Sequence, residues 1–126
     1  MSNDRYVNSN EQLIVELYTR DIKTSCAFYR AYGFEVVREE SNFIVLRWED
    51  SMLFLEEVKD YPPPEHEVGN IRIMVANVDY YWDLAIKLGA RVIRPIEDRY
   101  YGLRDFTIAG PDGIGLRFGT SLSASH

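Results

Sequence analysis

The spacing of apolar and polar residues changes period several times along the chain. Leu13, Val15 and Leu17 alternate with Ile14, Glu16 and Tyr18, which predicts a strand with one face against a core. Asp21 then opens a helix in which Lys23 to Tyr32 carries Cys26, Ala27, Phe28 and Tyr29, and Gly33 stands where helices commonly stop in the left-handed conformation. Three strands follow, Phe34 to Arg38, Phe43 to Trp48 and Met52 to Val58, separated by turns at Ser41-Asn42 and Glu49-Asp50-Ser51. The order is β-α-β-β-β.

Tyr61-Pro62-Pro63-Pro64-Glu65 interrupts this pattern, because proline lacks a backbone donor and restricts the residue before it; the stretch is a stiff connector. The alternation then restarts. Ile71, Ile73 and Val75 read as a strand, Asp79 precedes a helix through Leu88, and Gly89 ends it. Arg91 to Arg94, Phe106 to Ala109 and Leu116 to Gly119 read as strands, with a turn at Gly110-Pro111-Asp112-Gly113. Asp21-Ile22 matches Asn77-Val78, and Tyr32-Gly33-Phe34 matches Leu88-Gly89-Ala90, both at an offset of 56 residues. Asp50 to Leu55 best matches Gly113 to Phe118 at an offset of 63, so the second half carries about seven extra residues around Ile96 to Leu103. Such in-phase repetition points to an internal duplication. The expected organisation is one domain over residues 1–126, with repeat one at about 11–60, the connector at 61–68 and repeat two at about 69–120.

At 126 residues and 46% hydrophobic composition the chain suits one core. A net charge of −6 disfavours nucleic acid as a partner and favours cationic ligands. Cys26 is the single cysteine, so neither an internal disulfide nor a thiolate zinc cluster can form, and a small buried role fits it better than a nucleophile's. No apolar run approaches the ~20 residues that span a bilayer, and the first residues lack the basic and apolar segments of a secretory signal. The expected location is cytoplasmic, with no membrane partner. Met1 to Asn10 and Ser121 to His126 read as frayed ends.

Two segments resemble the vicinal-oxygen-chelate superfamily, which includes glyoxalase I, extradiol dioxygenases and the bleomycin-resistance proteins. One is Asp21-Ile22-Lys23-Thr24-Ser25-Cys26-Ala27-Phe28-Tyr29 leading to Gly33-Phe34. The other is Tyr101-Gly102-Leu103-Arg104-Asp105-Phe106 through Gly110-Pro111-Asp112-Gly113, which looks most like the bleomycin-resistance branch. The resemblance implies an α+β fold in which two βαβββ repeats form a half-open eight-stranded mixed sheet cup, paired across a homodimer. It also implies a divalent metal held by inward residues of both repeats, which here become Ile14, Phe54, Asn70 and Arg117. Isoleucine and phenylalanine offer no lone pair, arginine stays protonated, and asparagine alone is a weak donor, so neither a metal nor another cofactor is expected. A one-residue shift in a strand turns a side chain to the opposite face, so Glu57 cannot replace Phe54 without a change of register. His66 in the connector and the terminal His126 do not repair the set.

If those four positions face the cup, alternation puts Glu16 and Arg72 beside them, as ligand-orienting groups with Arg117 or as an ion pair fixing register. Trp48, Tyr61, Tyr100 and Tyr101 suit a rim where flat rings stack on planar or cationic ligands, or else a dimer interface. The ligand-binding residues expected are Glu16, Trp48, Phe54, Tyr61, Asn70, Arg72, Tyr101 and Arg117, with no catalytic residue. The resulting expectation is a metal-independent protein that sequesters a small molecule such as a cationic aromatic antibiotic. The alternative is a lyase, isomerase or dioxygenase-like enzyme of the same superfamily, either with displaced metal ligands or metal-free with Glu16 as general base.

Overall fold

A computed structural model describes residues 7–123 of the chain. Among the described residues three α-helices and eight strands run in the order α1 (Ser9–Gln12), β1 (Val15–Thr19), α2 (Ile22–Ala31), β2 (Glu35–Glu39), β3 (Phe43–Trp48), β4 (Ser51–Glu57), β5 (Gly69–Met74), α3 (Val78–Lys87), β6 (Val92–Asp98), β7 (Leu103–Ala109) and β8 (Ile114–Ser121), with a single 3-10 turn at Pro111–Gly113 before β8. After α1 the pattern is βαβββ twice, so the fold is α+β. The chain divides into two compact units between Pro62 and Pro63, inside the proline run.

Each unit contains one four-stranded mixed sheet, and the two share a topology: β1-β4-β3-β2 in the first and β5-β8-β7-β6 in the second. The first and last strands of each repeat lie parallel and the hairpins are antiparallel. Parallel neighbours need a crossover, and the helix lies within that connection. One face of each sheet is buried. In the first unit Ile22, Cys26 and Tyr29 of α2 are buried, as are Ile44, Leu46, Leu53 and Leu55 of the sheet; in the second the buried set is Val78, Ala85, Phe106, Ile108, Leu116 and Phe118. The ring of Tyr81 lies flat on Phe118, centroids 4.6 Å apart. Full burial of side chains of this size stabilises by about 1.5–3 kcal/mol each.

The duplication extends to individual hydrogen bonds. Ile22, the first residue of α2, donates its backbone N–H to Glu57 Oε2 at 3.1 Å, and Val78, the first of α3, donates to Thr120 Oγ1 at 3.1 Å. The helix residues are 56 apart and their acceptors 63 apart, the same two offsets that relate the repeats. The helix ends match as well. Phe34 N–H meets the Tyr29 carbonyl at 3.1 Å and Ala90 N–H the Ala85 carbonyl at 3.0 Å, with Gly33 and Gly89 at φ of 119° and 72°.

Several boundaries differ from the expectation. Leu13 is 84% exposed and outside β1, which begins at Val15 because α1 precedes it. The expected frayed ends are described only in part: residues 1–6 and 124–126, with His126, lie outside the described residues, whereas Ser121 closes β8. Helix α3 is capped by Asn77 rather than Asp79, and Asn77 makes no side-chain cap bond; the Thr120 hydroxyl accepts from Val78 and donates to the Val75 carbonyl at 2.8 Å. In α2, by contrast, Asp21 caps directly, accepting from Thr24 N–H at 3.2 Å. The extra residues of the second repeat do not form a separate loop. They lengthen the β6–β7 hairpin, which absorbs them through register shifts between Val92, Arg94 and Glu97.

The turn before β8 is sterically specified. Gly113 has φ of 78°, and a Cβ there would meet Pro64 Cγ at 2.5 Å and the His66 carbonyl at 3.4 Å. Replacing Gly113 with alanine is therefore expected to destabilise by about 2–4 kcal/mol in urea unfolding, from backbone strain plus the clash. At Gly69, where a Cβ would meet nothing within 4 Å, the same change is expected to be neutral or slightly stabilising.

Candidate functional site

In β8, Leu116 and Phe118 are buried in the core, so Gly115, Arg117 and Gly119 fall on the opposite face. Cross-strand pairing extends that face into a row. Arg72 on β5 lies opposite Arg117, Arg117 opposite Thr107 on β7, and Thr107 opposite Arg94 on β6. Three guanidinium groups and one hydroxyl thus cross the four strands on one side.

Only Arg117 among those three arginines is neutralised. Asp105, two residues before Thr107 on the same face, is 1% exposed. Its Oδ2 accepts from Arg117 at 2.6 and 3.1 Å and from the Tyr101 hydroxyl at 3.0 Å, and its Oδ1 accepts from Arg99 Nε at 2.8 Å. Arg117 also donates to the Tyr101 hydroxyl at 3.1 Å. Arg99 turns back across the hairpin tip to donate to the Pro95 and Asp105 carbonyls and to Glu97. Burial by itself pushes the Asp105 carboxyl up, but the bonds from Arg99, Arg117 and Tyr101 outweigh it and hold the group below the ordinary carboxylate value. The side chains of Arg72 and Arg94 make no ion pair or hydrogen bond with the described residues.

Beside this network the second unit has a cavity of about 300 Å³, lined in part by Glu67, Asn70, Ile93, Arg94, Thr107 and Gly115. Gly115 is the floor between two strands. A Cβ there would stand 3.1 Å from Thr107 Cγ2 and 3.2 Å from Asn70 Cβ, so only glycine leaves both side chains where they are.

The corresponding face of the first sheet has different chemistry. Glu16 lies opposite Phe54, Tyr18 opposite Glu56, and Phe43 opposite the same Glu56 on its other side. Phe43 and Phe54 meet edge to face at 5.4 Å, and Tyr18 and Tyr61 at 5.5 Å. The Arg38 guanidinium rests 5.8 Å from the Phe43 ring centroid. This face is aromatic, with two carboxylates.

Of the residues expected to contact ligand, Glu16, Phe54 and Tyr61 fall in the first unit around this aromatic face, while Asn70, Arg72 and Arg117 share the second sheet's polar face. Tyr101 is joined to that face through Asp105. Trp48 is turned away: it alternates with Arg47 onto the helix side, 5.3 Å from Phe34 and against Gly33. Tyr100 is fully exposed. Missed in the sequence were Phe43, Glu56, Asp105, Thr107 and Arg94. For Glu56 the two-residue step from Phe54 was a usable signal; the Arg94–Thr107 pairing depends on a bulge that no local pattern announces.

The metal implied by the fold was tested against these residues and does not fit them. Ile14 and Phe54 carry no donor, and Arg117 occupies its position as a fixed cation. Glu57 faces the helix and is bonded to Ile22 N–H. Among the described residues no group of three or more histidine, cysteine, aspartate or glutamate side chains is placed to hold a metal ion. Cys26 is buried, which pushes its thiol up, away from the reactive thiolate.

Asp105→Ala strands two arginines whose side chains are only 10% and 17% exposed, so it is expected to cost about 3–5 kcal/mol near neutral pH. A carboxyl held low in the folded state contributes its stability above the unfolded value of about 3.9 and loses it as pH falls through the folded value. Urea unfolding should therefore show the wild-type advantage over Asp105→Ala constant near neutrality and shrinking in acid. A difference that stays flat into acid would remove Asp105 as the titrating group.

The matches to known proteins agree with this architecture. The chain resembles a glyoxalase/bleomycin resistance protein/dioxygenase from Nocardioides at 16% identity and a TM-score of 0.76, covering 95% of this chain and 89% of that one. It resembles a bleomycin-binding protein solved in complex with bleomycin at 20% identity and a TM-score of 0.70, covering 88% and 98%. A lactoylglutathione lyase from Agrobacterium tumefaciens matches at 20% identity and a TM-score of 0.71, covering 90% and 96%. At these identities the likeness establishes the fold. No curated protein matches the sequence. The family model covers residues 12–118, and the chain belongs to the Glyoxalase/Bleomycin resistance protein/Dioxygenase superfamily.

Proposed function

We propose that this chain is a metal-independent small-molecule-binding protein that takes a planar, cationic aromatic ligand on the open face of its first sheet. The observation that carries the reading is Arg117. At a position where superfamily enzymes place a metal ligand, a guanidinium without a lone pair is locked 2.6 Å from the Asp105 carboxylate, so neither side chain is left to coordinate a divalent ion. Recognition then falls to shape, stacking and fixed charge. Phe43, Phe54, Tyr18 and Tyr61 supply ring faces and edges, and Glu16 and Glu56 supply negative charge beside them. Arg38 over Phe43 illustrates that these rings accept a cation.

The bleomycin-binding protein of the same fold supports an antibiotic of that kind as the ligand, and resistance by sequestration as the role. We place the protein in the cytoplasm as a homodimer. The apolar side chains of Leu13, Val15, Met74 and Val92, on or beside edge strands, would be shielded by such pairing. Among the described residues no helix is long and apolar enough to cross a membrane. The lyase of similar fold favours the alternative of an enzyme using Glu16 as base, but Glu16 has no hydrogen-bonding or charged partner among the described residues to orient it.

Calorimetric titration with nickel, zinc and manganese is expected to show no stoichiometric binding, and bleomycin is expected to raise the melting temperature of the wild type. Phe54→Ala should weaken bleomycin binding about tenfold, the loss of one stacked ring. One metal bound per chain would transfer the assignment to the enzyme reading.

A further inference from the structure

We propose that the cavity of the second unit is an oxyanion site, built to receive a carboxylate or phosphate group between Arg94, Thr107 and Asn70. Three independent features point there. The first is Thr107, which lines the cavity and whose hydroxyl is bonded to no other side chain or carbonyl among the described residues, so it is open to a ligand acceptor. The hydroxyl is not sealed in the core but reaches the cavity, where a ligand acceptor can take the place of water. The second is charge. Arg94 faces Thr107 across the β6–β7 ladder without a carboxylate partner, and Arg72 stands in the same row. Asp105, the buried acid of that row, is already saturated by Arg99, Arg117 and Tyr101, so it is not available to neutralise Arg94. The third is space. Gly115 keeps the floor open where any side chain would press on Thr107 and Asn70.

The geometry matches the chemistry of the group. A guanidinium offers paired donors in the plane that a carboxylate or phosphate presents, a hydroxyl donates to a further lone pair, and the Asn70 amide supplies another N–H. A cavity of about 300 Å³ suits a small acid or the acidic end of a larger molecule. Glu67 is the one carboxylate among the lining residues; it is exposed, where water screens it, and it opposes an anion only weakly.

The site is independent of the aromatic face of the first sheet, and either can fail without the other. The test titrates the full chain with inorganic phosphate, sulfate, acetate and benzoate at constant ionic strength, following backbone amide resonances, with chloride as the reference anion. Saturable shifts at Asn70, Thr107 and Gly115 are expected with at least one oxyanion, and the comparison of phosphate with the carboxylates names the source. Arg94→Gln should weaken binding about tenfold or more and Thr107→Val about threefold or more. Arg91→Gln, an exposed charge outside the cavity lining, should leave affinity unchanged, and Glu67→Gln should tighten it about twofold. Shifts that do not saturate, that chloride reproduces, or that respond equally to Arg94→Gln and Arg91→Gln would overturn the proposal.

Discussion

The bond from the first residue of each helix to a side chain on the last strand of its own repeat is the constraint on which the arrangement of each unit depends. Ile22 gives its N–H to Glu57, and Val78 gives its N–H to Thr120. A helix N-terminus has donors without intrahelical partners and a positive end to its dipole, so the acceptor must come from outside the helix. Drawing it from the last strand commits that residue to the helix side of the sheet. Alternation then commits its neighbours: with Glu57 turned to α2, Glu56 and Phe54 must face away, and with Thr120 turned to α3, Gly119 and Arg117 must face away. The open faces are set by how the helices are held.

On that open face the two repeats have diverged at matched positions. Glu16 in the first corresponds to Arg72 in the second, and Phe54 to Arg117. The lengthened β6–β7 hairpin accompanies the change. It carries Arg99, Tyr101 and Asp105, three of the four groups of the buried network, and the fourth is Arg117 itself. A nearly buried arginine needs a carboxylate, and a buried carboxylate needs several donors to remain charged. The extension supplies the donors Arg99 and Tyr101 that surround the β7 carboxylate Asp105.

The fold was largely legible in the sequence because its signals are local. A period of two, a helix flanked by Asp21 and Gly33, and the same frame repeated 56 residues later each depend on neighbours within a few positions. The shared facing of Phe54, Asn70 and Arg117 came from the family resemblance, and alternation from those positions then added Glu16 and Arg72. Trp48 was misplaced because its position near a turn suggested a rim, whereas one step of alternation from Arg47 sends it to Phe34. The start of α3 falls one residue earlier than Asp79 suggested, and its first N–H is satisfied by Thr120, 42 residues away in the chain. What remained hidden is the charge balance of each face. Net charge is a sum over the molecule, while the partners of Arg94, Arg99 and Arg117 depend on register across bulged strands.

That distinction changes what the acidic composition implies about ligands. Fixed charges act over roughly a Debye length, about 8 Å at physiological salt, so a bound molecule responds to the side chains beside it and little to the total of −6. On the first sheet those neighbours are Glu16, Glu56 and aromatic rings, which favour a flat cation through contacts that salt weakens only in part. On the second they are Arg72 and Arg94 with the Thr107 hydroxyl, positive and donor groups whose contacts salt screens directly. Substitution at matched positions has thus given the two repeats open faces of opposite charge character, each built on the same strand register and the same helix anchor.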